Sequence, residues 1–224
     1  MDILEAIFGR RSIRKFKKST IPYRVLFDIF EAGVSAPRAG NVPNTWMVLV
    51  ESDKLKTKLK DACVDQDWIE NAPVIIAVCS NPKRLTQLYG ARGEIYAIQN
   101  SSAIIQNILI AAQEYGLQGT WVGAFSESEV RKVLSKKPGK MDKVNVHALV
   151  ALGKPDEHPK KLPEIQATDL VYYEAWGESN KSSKMIPLAS NPKLQNTIRR
   201  AKQRSKKTRH KLIKKIGKTI KHFK

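Results

Sequence analysis

Apolar residues along the chain recur at two spacings, and each spacing predicts a kind of element. Ile3, Leu4 and Ile7 fall at helical intervals behind Asp2, whose carboxylate suits a first-turn cap, and Gly9 ends that run. A second helix is predicted from near Pro22, a residue tolerated in a first turn. Its buried stripe is Val25, Leu26, Ile29 and Phe30, and Gly33 is its stop. Short apolar runs at 46–50 and 73–79 predict strands, and the lysine-rich stretch 53–63 between them predicts a surface helix. From Glu94 to Tyr115, Ile95, Ile98, Ile105, Ile108, Leu109 and Ala112 repeat at helical spacing with few charges. That pattern predicts a long, largely buried helix ended by Gly116. Segment 119–125 predicts a glycine-containing strand. Ser126 with Glu129 predicts a capping box for a helix to about Leu134, and 144–152 predicts a last strand closed by Gly153-Lys-Pro155.

The order is helix, helix, strand, helix, strand, long helix, strand, helix, strand, which predicts a layered α+β domain. Pro37, Gly40 and Pro43 exclude regular structure from 35–45. A length of 224 residues suits one domain plus an extension. No run of 18 apolar residues occurs, and the first residues lack a basic start followed by an apolar stretch, so neither a transmembrane helix nor a signal peptide is expected. Cys63 and Cys79 form no CxxC pair. They suit a reducing compartment, and a cytoplasmic location is expected.

Charge divides the chain. The formal net charge is +19, and residues 180–224 hold 16 Lys and Arg with no Asp or Glu. The first 179 residues balance 24 basic against 21 acidic side chains. Residues 1–177 therefore read as a nearly neutral domain, and 178–224 as a linker with a basic tail. Within 193–224, Leu194, Ile198 and Ala201 share one helical face. Leu212, Ile213, Ile216, Ile220 and Phe223 form a second stripe set against Lys211, Lys214, Lys215, Lys218 and Lys221. A basic amphipathic helix of this kind fits an anionic membrane surface or nucleic-acid phosphates, or it simply keeps its charge in water. Only Phe223 offers an aromatic face for stacking on bases.

Several chemistries find no support. There is no GxxxxGK[ST], no GxGxxG between a strand and a helix, and no GxSxG. The four histidines are scattered, so no metal site is expected. An enzyme of this composition would draw its reactivity from an organic cofactor. Three segments suggest where. Arg10, Arg11, Ser12 and Arg14 could hold a phosphate through charge-assisted hydrogen bonds, or they are a solvated basic turn. Ala36-Pro37-Arg38-Ala39-Gly40-Asn41 could lie close to a flat ligand, or it is an ordinary loop. Gly119-Thr-Trp-Val122-Gly123-Ala124-Phe125 could offer main-chain N–H groups to a ring nitrogen, or it is a strand ending in a turn.

Taken in order, the arginine cluster, the Ala-Pro-x-Ala-Gly-Asn loop before Trp46 and the Gly-x-Trp-Val-Gly-Ala-Phe segment resemble the nitroreductase family of FMN-dependent oxidoreductases. Ala151-Leu-Gly-Lys-Pro155 and Lys160-Lys161-Leu-Pro163 extend the resemblance, which spans about residues 2–177. It implies a mostly antiparallel sheet flanked by helices, and a homodimer with FMN at its interface. It implies ping-pong transfer of hydride from NAD(P)H through flavin N5 to a nitroaromatic, quinone or similar small-molecule acceptor, with no catalytic side chain. By the same resemblance, Arg10, Arg11, Ser12 and Arg14 would hold the FMN phosphate and ribityl chain, with Lys160 and Lys161 adding charge. Pro37, Arg38, Ala39 and Asn41 would line the ring, Arg38 as a positive charge near N1. Val122, Gly123 and Ala124 would pass its other side, with the Gly123 N–H toward N5. The sequence departs from the family at Arg38, where a small polar residue is usual, at Asn44-Thr45 in place of Gln-Pro, and at Asn100 in place of an Asp. The competing expectation is an inactive scaffold that binds nucleic acid or membrane through its tail.

Overall fold

In the computed structural model, which describes residues 1–64, 66–137, 139–159, 165, 169–172 and 174–178, the four predicted strands pair as one antiparallel sheet. They are β1 (Thr45–Val50), β2 (Val74–Ser80), β3 (Gln118–Val122) and β4 (Asn145–Gly153), in the order β1-β2-β4-β3. The helices are α1 (Ile3–Gly9), α2 (Tyr23–Val34), α3 (Asp53–Asp61), α4 (Lys83–Tyr89), α5 (Arg92–Ala111) and α6 (Glu127–Leu134). Two compact units divide the chain. One is Arg10–Glu157, and the other joins Met1–Gly9 to the residues from His158 onward. In the second unit, Asp2 Oδ1 accepts the Leu4 N–H at 2.8 Å, the cap expected for α1. The basic tail lies outside the described residues.

Alternation along the central strands builds two cores within the larger unit. Ile75, Ala77 and Cys79 of β2 join Leu59, Ile69, Val130 and Leu149 on one face. Val74, Ile76 and Val78 join Leu26, Ile29, Ile105, Ile108 and Val150 on the other. The sheet is thus covered by α3 and α6 on one side and by α2 and α5 on the other. Each fully buried Leu or Ile contributes about 1.5–3 kcal/mol. Cys63 and Cys79 are buried free thiols, and burial pushes them up to about 11 and about 12.

Several expectations change at this level. Gly33 does not stop α2, which runs on to Val34. Gly33 lets the helix approach α5, because a Cβ there would meet Ile108 at 3.0 Å. The capping box does not form, since Ser126 Oγ pairs with Ser128 and Glu129 with Lys132. Helix α4 was not expected, being too short to display a period. Segment 119–125 stops being strand at Val122. Helix α5 is less buried than expected, with Ile95 and Ile98 about half exposed.

A bulge in β4 sets His147. The ladder steps from Val78↔Ala148 to Cys79↔Val146, so His147 faces no partner residue across the sheet. Its Nε2 lies 2.6 Å from Ser80 Oγ. Burial lowers the His147 pKa below 6.5, and Glu127 and Glu94 oppose that shift. The folded state therefore resists a proton that the unfolded chain accepts, and stability should fall as pH drops below about 6.5 toward the folded pKa. Denaturant titrations from pH 8 to 5 should show this decline. A His147→Gln chain should decline less over the same interval.

Candidate active site

The arginine cluster is not a free turn. It lies along the outer edge of β3, where Ser12 pairs in parallel with Gly119. Thr120 Oγ1 donates to the Ile13 carbonyl at 2.6 Å, and buried Ile13 joins the core there. Glu157 Oε1 accepts both the Arg14 N–H at 2.5 Å and the Lys15 N–H at 3.0 Å. Lys17 donates to the Lys154 carbonyl and Asp156 to the Lys15 carbonyl, each at 2.9 Å. The arm is thus fixed by strand-like pairing to β3 and to the segment leaving β4. The Arg14 guanidinium lies over Trp68, 5.9 Å from its ring centre, and Arg11 Nη1 donates to the Arg10 carbonyl.

The glycine segment follows on the same strand. Gly119 admits no side chain, because a Cβ would stand 2.5 Å from the Ala151 carbonyl oxygen. Val122 is buried and forms the last ladder pair, with Leu149. Gly123 and Ala124 come next and are exposed. Gln66 Nε2 holds the Ala124 carbonyl at 2.9 Å, and Ser126 donates its N–H to the Ala62 carbonyl at 2.8 Å. Gln66 shapes this segment from 58 residues away. Nothing in its local sequence marks it, because its role depends wholly on sheet topology.

The Pro-Gly loop is held by other elements. Gly40 and Asn41 take left-handed φ values of 55° and 53°. At Gly40 the backbone comes so close to α4 that a Cβ would stand 2.3 Å from the Tyr89 hydroxyl. Arg38 donates from Nη1 to the Val34 carbonyl at 3.0 Å and from Nη2 to Asn41 Oδ1 at 3.1 Å. Asn100, buried in α5, accepts the Ala39 N–H at 3.0 Å and donates to Asn44 Oδ1 at 2.8 Å. Among the described residues, Arg38 Nε and Asn44 Nδ2 are buried with no partner.

Asn100 is therefore the pin of this loop. Asn100→Leu strands the Ala39 N–H and Asn44 Oδ1, and should cost about 2–4 kcal/mol in chemical unfolding. Asn100→Asp should cost far less. The Asn44 amide can turn over and donate its now unpartnered Nδ2 to the new carboxylate.

The structure thus sets the segment carrying Arg10, Arg11, Ser12 and Arg14 beside the edge of β3, the strand that Val122 ends and Gly123 and Ala124 follow. It holds Pro37, Arg38, Ala39 and Asn41 through α2, α4 and α5. Lys160 and Lys161 lie outside the described residues. A cavity of about 340 Å³, lined by Asn81, Lys83, Thr86, Glu94, Lys143 and Asn145, uses none of these candidates. Among the described residues no three His, Cys, Asp or Glu side chains gather as a metal site, and no helix is long and apolar enough to cross a membrane.

A group with a phosphate at one end and a flat ring at the other fits what is present. Ser12, between Arg11 and Arg14 in sequence, bridges Gly119 near the start of β3. Exposed main chain lies four residues further along, about 13 Å at strand rise. A Cβ at Gly123 would have only Trp121 Nε1 near it, at 3.9 Å.

Known proteins resemble this chain in sequence and fold. The chain matches the Nitroreductase family over residues 7–66 and 63–154. A relative from Archaeoglobus fulgidus, named for NADH dehydrogenase and NAD(P)H nitroreductase, is 30% identical over 177 residues, 78% of this chain and 99% of the relative. The NADPH-flavin oxidoreductase of Vibrio harveyi is 25% identical over 183 residues, covering 79% of this chain and 75% of its own. The crystal structure of a nitroreductase family protein from Clostridium novyi NT superposes with a TM-score of 0.63 at 28% identity, over 83% of this chain and all of that one. With a family match over residues 7–154 and a fold shared over 83% of its length with a solved member, this chain belongs to the nitroreductase family.

Proposed function

We propose that the chain is an FMN-dependent oxidoreductase that takes hydride from NAD(P)H and delivers it to a nitroaromatic, quinone or similar small acceptor. One observation carries the reading: the arginine arm is docked on the edge of β3, the strand that leads into the exposed Gly123 and Ala124. The arm would serve as the phosphate anchor and the main chain after β3 as the ring contact. Arg10, Arg11, Ser12 and Arg14 would hold the phosphate and ribityl chain. Val122, Gly123 and Ala124 would lie along the ring.

FMN held by these residues would supply two-electron hydride chemistry between NAD(P)H and the acceptor. The chain's own residues bind and orient. Gln66 keeps Ala124 in place, and Glu157 keeps Arg14 and Lys15 in place. Asn100 and Arg38 keep the loop carrying Ala39 and Asn41 in its left-handed turn. Arg38 would also set a positive charge near the ring.

The loop and the arm are anchored to different elements, which supports a site completed by a second copy of the chain. Tyr23 and Phe27 of α2, with Ile95 and Ile98 of α5, are exposed apolar residues available to such a homodimer. The flavin domain would be residues 1–177, and the buried thiols suit a reducing cytoplasm.

The test is optical. Purified full chain should carry or take up FMN, quench its fluorescence, and lose the flavin absorption band when NAD(P)H is added without oxygen. A chain that stays colourless after incubation with FMN overturns the reading and favours an inactive scaffold.

A further inference from the structure

One short segment braces both halves of the candidate site. Residues Asp67–Asn71 form a single 3-10 turn, closed by the Ile69 N–H to the Gln66 carbonyl and the Ala72 N–H to the Ile69 carbonyl, each at 3.1 Å. Ile69 is fully buried in the core, and Glu70 pairs with Lys60 of α3 at 3.3 Å. The turn is thus fixed from below and from the side. At its start it offers two side chains to the site. Gln66 holds the Ala124 carbonyl. Trp68 packs against Phe16 of the arm, with ring centres 6.5 Å apart, and the Arg14 guanidinium lies over its ring at 5.9 Å.

We propose that Trp68 is a positioning residue for the phosphate anchor: its aromatic face holds the Arg14 guanidinium where a phosphate group meets it. This role rests on the flavin reading and adds to it a residue outside the arm. A leucine would fill the space beside Phe16, but only a π face also attracts a cation. Contact over a ring face consumes none of the guanidinium's N–H groups, and those are the groups that a phosphate engages. The surroundings of Arg14 agree. Glu157 takes the main-chain N–H groups of Arg14 and Lys15, not the guanidinium. Among the described residues the guanidinium makes no hydrogen bond or ion pair. Its charge is therefore held by the ring and still available to an anion. Because Trp68 and Gln66 stand two residues apart, the arm and the main chain after β3 share one support, which sets the distance between them.

The experiment titrates the full chain with FMN and with riboflavin, read by quenching of flavin fluorescence. Trp68→Leu should weaken FMN binding by about threefold to tenfold and riboflavin binding by no more than about twofold, because riboflavin has no phosphate. Trp68→Phe keeps a π face and should stay within about twofold of the wild type for both. In an Arg14→Ala chain, Trp68→Leu should cost no further FMN affinity, since the group it positions is gone. If the leucine chain melts early, Trp68→Met, a flexible filler without a π face, carries the same comparison. Equal loss of both flavins in a chain that melts normally would make Trp68 a packing residue and no more. Unchanged FMN binding without the π face, no rescue by phenylalanine, or a loss that adds to that of Arg14→Ala would also overturn the role, and each would leave the flavin reading standing. A wild-type chain that takes up neither flavin overturns that reading and this role with it.

Discussion

Replacing Arg11 and Arg14 together by alanine is expected to weaken FMN binding by about two to four orders of magnitude, with riboflavin binding changed by no more than about twofold. Each guanidinium that meets a phosphate contributes a charge-assisted bond of about 1.5–3 kcal/mol, and riboflavin lacks the phosphate. Comparing the two ligands by fluorescence quenching separates loss of a contact from loss of fold, because a collapsed site would lose both. Glu157→Gln makes the same point at one remove. Its oxygen already accepts two N–H groups from the arm, and a carboxamide keeps an acceptor without the charge. That chain should lose FMN affinity by roughly threefold to tenfold, again without effect on riboflavin. If the double-alanine chain loses FMN and riboflavin equally, the arm does not hold the phosphate.

Gly119→Ala should be the most damaging single change in the site. The new methyl would stand 2.5 Å from the Ala151 carbonyl oxygen and 3.2 Å from both Leu109 and Leu152. Two of these neighbours are side chains that can yield, but the nearest atom is main chain in the centre of the sheet. To relieve it, β3 must move away from β4, and β3 carries the arm through the Ser12–Gly119 bridge and the Thr120–Ile13 hydrogen bond. A loss of about 2–4 kcal/mol follows, with a melting temperature lower by about 5–15 °C and a matching loss of flavin. Gly123→Ala is the control. Only Trp121 Nε1 lies near its added methyl, so it should fold normally. A Gly119→Ala chain that melted like the wild type would show that the strand spacing here is looser than described.

The elements that could be read in advance were those whose burial has one period. β2 is buried at every position because both its faces are covered, and it is apolar up to Ser80; the second half of α5 turns Ile104, Ile105, Ile108 and Leu109 to the core. What escaped was set by partners distant in sequence. Helix α4 is only seven residues long, and Gly93 presses it against α5 at a point where a Cβ would meet the Thr86 nitrogen at 2.3 Å. Ser126 and Glu129 have the spacing of a capping box, yet a neighbouring serine and lysine compete for both side chains. The arginines, the Pro-Gly loop and the Gly-Ala pair could be picked out as residues. Of their supports, Asn100 stood out only as a departure from the family pattern, and Gln66 and Glu157 could not be picked out, because one polar side chain among many becomes a brace only when topology delivers it.

The arm's attachment has a consequence for the order in which the protein is made. Arg14 and Glu157 are separated by 143 positions, and Lys17 waits for Lys154. The arm leaves the ribosome early, and the carboxylate that receives Arg14 follows 143 residues later. A nascent chain halted before residue 157 would hold every arginine of the arm and most of its hydrophobic layers, without the carboxylate that receives the Arg14 and Lys15 N–H groups. Seating of the arm is thereby postponed until long-range closure is complete.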